Sequence, residues 1–199
     1  DQALSEITKA KKLLEDITGQ EVYGHRAPAF SITPKTAWGL DLIKEAGFLY
    51  DSSIFPISEK NFGWEGFQED IGYVRTPKGY QLIEAPLSTF QFLTMKLPGF
   101  GGSYLRLYPL ILTKFLFRNV QAKRPVILYL HPYETDTERY PDYYFQALKR
   151  VTFFKNIEMR SKWINRKKML PRLSALLDTF RFDSLINVIR KELGNAEQL

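Results

Sequence analysis

The chain has 199 residues, of which 44% are hydrophobic and 25% charged, and this balance excludes the disordered and fibrous classes of protein. It contains no Cys and two His, which excludes disulfides, thiolate metal sites and Cys nucleophiles. The net charge of +6 is concentrated between Lys149 and Arg172, where nine basic residues accompany one acidic residue, Glu158.

Two helices are predicted in the first fifty residues. The first has apolar residues at Leu4, Ile7, Leu14 and Ile17 and ends before Gly19. Because the sequence enters this helical pattern at Asp1 without an initial Met, we expect it to be a piece of a longer chain. The second helix is predicted to begin at Thr33 as N-cap and to end at Gly47, with Leu40, Ile43 and Ala46 as its apolar stripe.

Short strands are predicted around Val22, over 48–50 and over 80–85, with a long irregular stretch over 56–79. Downstream we predict a helix of about 15 residues from Tyr104, capped by Ser103. A buried strand over 125–130, a helix over 170–180, a short strand at Phe182 and a helix over 185–193 complete the pattern. This alternation predicts an α/β fold with a mostly parallel sheet, which is either open or closed into a barrel, in a single domain over 1–199 whose basic helical extension covers 149–199.

Three polar residues follow predicted strands. Arg26 follows the strand at Val22, Asp51 follows 48–50, and His131 follows 125–130. Because functional side chains of parallel α/β folds collect at the carboxyl ends of strands, these three residues are candidates for one site. Each also has a structural alternative, as an ion-pair, turn or strand-end residue.

Several segments resemble motifs of one family, the metal-dependent polysaccharide deacetylases that share the nodulation-factor deacetylase homology domain. Residues 24–31 (GHRAPAFS) look like the family's third motif, residues 50–56 (YDSSIFP) like its fourth, and residues 129–132 (YLHP) like its fifth. The exopolysaccharide-associated subgroup has counterparts of residues 84–89, 101–104 and 131–134, and of Arg106 and Pro109. The resemblance runs from Asp1 to about Leu193. It implies a partial (β/α) barrel of the polysaccharide deacetylase type whose N-terminal strands are missing.

The resemblance implies hydrolytic N-deacetylation of an N-acetylated sugar polymer, within bacterial exopolysaccharide biosynthesis. The family's cofactor is a divalent metal, zinc or similar, held by one Asp and two His, and a second Asp acts as base. Those residues belong to the first and second motifs, which the sequence does not contain. We therefore name no metal ligand in this chain and expect the chain alone to be inactive.

The resemblance also implies roles for the three strand-end residues. Arg26 would orient the missing base and keep it ionised, and His131 would protonate the departing amine. Asp51 would anchor His131, because a carboxylate beside an imidazole favours the imidazolium form that a general acid needs.

Substrate-binding roles follow for residues near these motifs. The backbone N–H of Ala29 would donate to the developing oxyanion, and Phe30 would form an aromatic wall. Ala29 stands where many family members have Tyr, and Tyr129 stands where the fifth motif often has Leu. The pocket for the acetyl methyl group would therefore be formed by Tyr129, by Leu130 or by another residue.

Weaker candidates have structural alternatives. Trp64 and Tyr104 would stack on sugar rings, although core packing explains most aromatic residues in such a sequence. His25 is a residue type that binds metals, but it adjoins Arg26 and corresponds to a variable aromatic or polar position of the family's third motif, so we do not expect it to be a metal ligand.

Two non-enzymatic functions remain as alternatives. A non-catalytic carbohydrate-binding α/β domain would use the same cleft. A nucleic-acid binder would use the basic stretch 149–172, but this stretch matches no nucleic-acid-binding motif, so we expect no nucleic-acid partner. We also expect no transmembrane segment, because Lys114 and Arg118 interrupt the most apolar stretch.

Overall fold

The structure is a computed structural model that describes residues 2–59, 61–138, 142–143, 146 and 162–194. The chain divides into two compact units, one formed by Asp1–Leu97 with Asp183–Leu199 and the other by Pro98–Phe182. Each unit is described by itself. The prediction of one domain over 1–199 stays a prediction.

The first unit is built around a four-stranded sheet. Its strands are β1 (Gly24–His25), β2 (Tyr50–Asp51), β3 (Gly72–Arg75) and β4 (Gln81–Glu84), in the spatial order β1-β2-β4-β3. The pairs β1–β2 and β2–β4 are parallel, and β3–β4 is antiparallel. The sheet therefore has three parallel strands whose carboxyl ends lie at one edge, with an antiparallel strand at its side.

Three helices and a hairpin complete the first unit. The helices are α1 (Gln2–Thr18), α2 (Gly39–Glu45) and, near the C-terminus, the helix Leu185–Glu192, designated α7 below. Strands β5 (Thr89–Phe92) and β6 (Met95–Pro98) form a separate two-stranded sheet. The sequence predicted the three helices but neither the hairpin nor β3.

The core of the first unit lies between α2 and the sheet. The predicted stripe of α2 is buried, and these residues pack with others in one apolar cluster: Ala27, Ile32, Leu40, Ile43, Ala46, Phe48, Ile54 and Leu82. Leu4 and Ile7 of α1 pack against this cluster, whereas Leu14 and Ile17 are exposed. Burial of the α2 stripe fixes that helix beside β2, and with it the chain that leads to Asp51.

The start of α2 differs from its prediction. Thr33 is not the N-cap, because residues 33–38 form successive turns and the helix begins at Gly39. The Thr36 hydroxyl donates to the carbonyl of Ser31 at 2.6 Å and accepts from the N–H of Thr33 at 2.8 Å. These side-chain bonds compete with helical ones and keep the segment in turns. The C-terminal stop is as predicted, with Gly47 at φ +79°.

The second unit contains four helices among its described residues. They are α3 (Gly102–Leu107), α4 (Leu110–Gln121), α5 (Pro132–Thr135) and α6 (Met169–Leu177), with a 3-10 turn over Arg166–Lys168 before α6. The predicted single helix from Tyr104 is therefore two helices, and its cap is Gly101 instead of Ser103. The break lies at Pro109, which has no N–H to donate and occupies the N-cap of α4.

The predicted strands over 125–130 and at Phe182 were wrong. The described structure has no strand at either place, only an isolated bridge between Gly101 and Tyr129. Tyr129 donates to the carbonyl of Phe100 and accepts from the N–H of Gly102, so one neighbouring segment pairs with it at a single point. Apolar residues predict burial, but a strand also needs a partner along its length, and the described structure gives none.

The described residues thus form a mixed α/β structure with a partly parallel sheet and no closed barrel. Within those residues, no helix combines the length and the apolar character needed to cross a bilayer.

Candidate functional site

The carboxyl ends of the three parallel strands of the first unit carry one ionisable residue each. His25 ends β1, Asp51 ends β2 and Glu84 ends β4. His25 pairs with Asp51 in the register, and Asp51 pairs with Glu84. Because residues in register on neighbouring strands project from the same face, the sheet sets the three side chains in a row.

Asp51 lies in the middle of this row and is completely buried. Its Oδ1 lies 2.9 Å from His25 Nδ1 and accepts the Ser53 hydroxyl at 2.7 Å. Its Oδ2 accepts the backbone N–H of Ser53 at 3.0 Å. An ionised carboxylate accepts hydrogen bonds and donates none, so His25 Nδ1–H is the donor in this contact and Nε2 points away from Asp51.

Glu84 is also completely buried. Its Oε1 accepts the N–H of Ile54 at 3.1 Å, whereas no described donor reaches its Oε2. Burial, followed by the charge of the neighbouring Asp51, raises the pKa of Glu84 well above its usual range. The two carboxyls are therefore a pair in which simultaneous ionisation is unfavourable.

Arg26 follows His25 and is held by Ser52. Its Nε donates to the Ser52 carbonyl at 2.8 Å and its Nη2 to the Ser52 hydroxyl at 2.7 Å. That hydroxyl donates onward to the carbonyl of Ala85 at 2.7 Å. The guanidinium is thus fixed at the same edge of the sheet while the residue stays exposed.

The backbone after Arg26 is strained. Ala29 and Phe30 both have positive φ, 55° and 53°, in a region that L-residues other than Asn and Asp rarely adopt. The Phe30 ring lies against Phe55, with centroids 5.7 Å apart, and so borders the same edge. Strain of this kind clusters at functional sites, because only surrounding contacts can maintain it.

His131 lies in the second unit, just before α5. Its backbone N–H donates to Glu134 Oε2 at 3.0 Å, and its ring stacks on Tyr133 with centroids 5.5 Å apart. The Tyr129 ring lies edge-on to it at 6.4 Å. The residue is exposed, and α5 orients it through the Glu134 carboxylate.

A buried ion pair holds the segment that carries His131. Glu134 and Arg106 are each 1% exposed, with Arg106 Nε 3.4 Å from Glu134 Oε1. Arg106 Nη1 also donates to the carbonyls of Lys162 and Ile164, at 3.0 and 2.9 Å. Gly102 leaves the space for this pair, because a Cβ there would lie 1.8 Å from Glu134 Oε2.

The predicted site residues are therefore found in both units. Asp51, Arg26, Ala29 and Phe30 lie at one edge of the first unit's sheet. His131, with Tyr129, Leu130 and Tyr104, lies in the second unit. The pairing of Asp51 with His131 joins residues of different units and stays a prediction. The imidazole that contacts Asp51 within its own unit is His25.

The aromatic candidates have packing partners. Trp64 is partly buried, packs against the core of the first unit and lies 5.0 Å from the Phe67 ring. Tyr104 is half-buried 5.6 Å from Tyr108, and burial raises the pKa of its hydroxyl. Their roles in sugar binding stay predictions.

Part of the basic stretch has a structural role. Residues 149–161 lie outside the described residues. Arg166 is 5% exposed and lies 3.2 Å from Asp136. Arg172 Nη1 donates to the carbonyls of Leu105, Arg106 and Tyr108, at the end of α3. These two cations therefore stabilise the second unit through buried or partly buried contacts.

Sequence reasoning missed His25 as the partner of Asp51, and it missed Glu84 and Ser53. The strand-end rule that selected Asp51 would also have selected Glu84, because Glu84 is the last residue of a strand that the sequence predicted. His25 was considered only as a metal ligand, and the row of three side chains depends on register, which the sequence did not supply.

The described residues contain no group of three or more His, Asp or Glu side chains placed to hold a metal ion. The metal that the resemblance implies would be held by the first and second motifs, which the sequence does not contain, so no step below passes through it.

Comparisons with known proteins give one result. No curated protein and no solved structure matches the chain significantly. A family model described as a domain of unknown function, DUF3473, matches residues 52–190. This match includes Ser52, Ser53, Glu84 and His131. It does not include His25, Arg26 or Asp51. Because it covers more than half of the 199 residues, the chain belongs to the DUF3473 family.

Proposed function

We propose that the chain contributes the acid-donating side of an enzyme that removes acetyl groups from an N-acetylated sugar polymer. The observation that carries this proposal is the row His25–Asp51–Glu84, with Arg26 fixed beside it, at the carboxyl ends of three parallel strands. This edge coincides with the segments that resemble the deacetylases' third and fourth motifs.

The chemistry of amide hydrolysis explains why such a row is useful. The amine leaves a tetrahedral intermediate poorly as an anion, so a positioned acid must protonate it. An imidazole held by a buried carboxylate supplies a proton from a fixed position. Arg26 would orient the carboxylate base of the upstream motifs, and the N–H of Ala29, in its strained turn, would stabilise the oxyanion.

The proposal assigns the acid to His131, following the fifth-motif resemblance. His25 is the competing imidazole, since it already contacts Asp51. A carboxylate has about four lone-pair sites. Among the described residues, His25 and Ser53 supply three hydrogen-bond donors to Asp51.

The test measures acetate release from N-acetylated glucan oligomers by the protein that includes the upstream motifs. Asp51→Asn should lower the rate strongly, whereas Asp178→Asn, an exposed Asp at the end of α6, should leave it unchanged. Chelation of divalent metals should abolish the activity. Binding of the oligomers without any acetate release would overturn the proposal in favour of the non-catalytic carbohydrate-binding alternative.

A further inference from the structure

The first unit buries two carboxyl side chains next to each other, and the proposed reaction does not assign their charge states. Asp51 and Glu84 are in register on adjacent parallel strands, and both are 0% exposed. Two like charges at this separation, away from water, are strongly unfavourable unless a proton or a cation lies between them.

The donors around the pair are unequally divided. Asp51 faces three donors, from His25 Nδ1, the Ser53 hydroxyl and the Ser53 N–H. Glu84 faces one, the N–H of Ile54 at Oε1, while its Oε2 has no described donor. Because Glu84 is in register with Asp51 on the adjacent strand, the two carboxyls are neighbours on one face of the sheet. The environment therefore stabilises a negative charge on Asp51 far better than on Glu84.

We infer that Glu84 carries a proton at neutral pH and donates it from Oε2 to Asp51, so that the pair holds one negative charge. This bond gives Glu84 Oε2 a partner and adds a fourth donor to Asp51. The proton stays on Glu84 Oε2 and no bond other than the hydrogen bond forms. Glu84 is thereby a positioning residue that holds Asp51 as an anion in one orientation.

The charged groups that face Glu84 agree with this state. Burial and the Asp51 charge raise its pKa, and the hydrogen bond to Asp51 raises it further. The Ile54 N–H and the Arg26 guanidinium act in the opposite direction. Arg26 is exposed and bound to Ser52, so its charge is partly screened by solvent.

The protonation state does not depend on the proposed function, but its consequence for catalysis does. With four donors, the Asp51 carboxylate is held in one orientation, which is what the proposed function requires of the residue that anchors the acid.

The experiment is a carbon NMR measurement on the 199-residue chain labelled with ¹³C at the side-chain carboxyls of Glu. We expect one Glu carboxyl at pH 7 to resonate as a neutral acid. This signal should disappear in Glu84→Gln, which replaces the acid by an amide of the same shape, and persist in Glu192→Gln, a change at an exposed residue of α7.

A second sample, labelled at Asp carboxyls, locates the proton without any substitution. A neutral-acid signal from Asp instead of Glu at pH 7 would overturn the assignment of the donor. Absence of a neutral-acid signal from both samples would overturn the shared proton itself. Neither outcome bears on acetate release, so failure of this inference is distinguishable from failure of the proposed function.

Discussion

The Ser53 hydroxyl has two buried hydrogen-bond partners. It donates to Asp51 Oδ1 at 2.7 Å and accepts the N–H of Ala27 at 2.7 Å. Through this one atom, the loop after β2 is bonded to the segment after β1. The position of Arg26 beside Asp51 therefore depends on it.

Ser53→Ala should lower the free energy of unfolding by about 1–3 kcal/mol, because the buried N–H of Ala27 would lose its acceptor. Urea denaturation of the chain measures this loss. Ser5→Ala on exposed α1 is the control and should change stability little. Equal stability of the two variants would show that another acceptor replaces the hydroxyl.

The pH dependence of stability follows from Glu84. Its folded pKa is raised above the ordinary 4.5, so the folded chain binds a proton that the unfolded chain releases as the pH rises. The wild-type free energy of unfolding should therefore fall above pH 4.5, by about 1.4 kcal/mol per pH unit relative to Glu84→Gln, until Glu84 ionises in the folded state. Urea denaturation of both proteins from pH 5 to 8 checks the slope, and parallel curves would contradict it.

At the residue scale, the location of two candidate residues could be predicted from the sequence. Asp51 and Arg26 were predicted at the carboxyl ends of strands, where the structure places them, because strand ends collect functional groups. The partnership of Asp51 with His25 was not, because it requires the register of β1 against β2, and register is set by the packing of whole faces.

Among the described α-helices, α5 is the shortest, and a buried ion pair links it to α3. Its four residues, Pro132–Thr135, are too few for stability of their own. The Glu134 carboxylate links them to Arg106 and to the N–H of His131. The orientation of His131 therefore depends on Glu134.

Glu134→Ala should destabilise the second unit by about 3–5 kcal/mol, because it leaves the Arg106 charge buried without its partner. Glu138→Ala, a change at an exposed carboxylate close by, is the matched control. Thermal or urea unfolding compares the two. If Glu134→Ala proves as stable as the control, the carbonyls of residues 162 and 164 are sufficient partners for Arg106.

The elements that the sequence predicted correctly are helices with one clear apolar stripe or with a clear stop signal in the local sequence. Helices α1, α6 and α7 repeat their apolar residues at helical spacing, and Gly19 and Gly47 end α1 and α2. Strand β3 and the β5–β6 hairpin were missed because short edge strands carry little apolar alternation of their own. The strand over 125–130 was predicted from composition alone.

At the scale of the molecule, the α/β class was predicted and the barrel was not found among the described residues. The sequence places candidate residues in both units, the carboxyl row in one and His131 in the other. Local patterns cannot say how such units combine, because that depends on contacts between residues far apart in the chain.

The proposed acid is tested by comparing the two histidines in the protein that includes the upstream motifs. His131→Ala should lower kcat about 100-fold to 10,000-fold with KM little changed, because a proton donor acts in the transition state and contributes little to substrate binding. His25→Ala should keep most of the activity, since Asp51 would retain its two bonds to Ser53. Steady-state rates of acetate release give both parameters. If His25→Ala abolishes kcat and His131→Ala leaves it unchanged, the acid is the imidazole that already contacts Asp51, and His131 is a residue of the α5 turn.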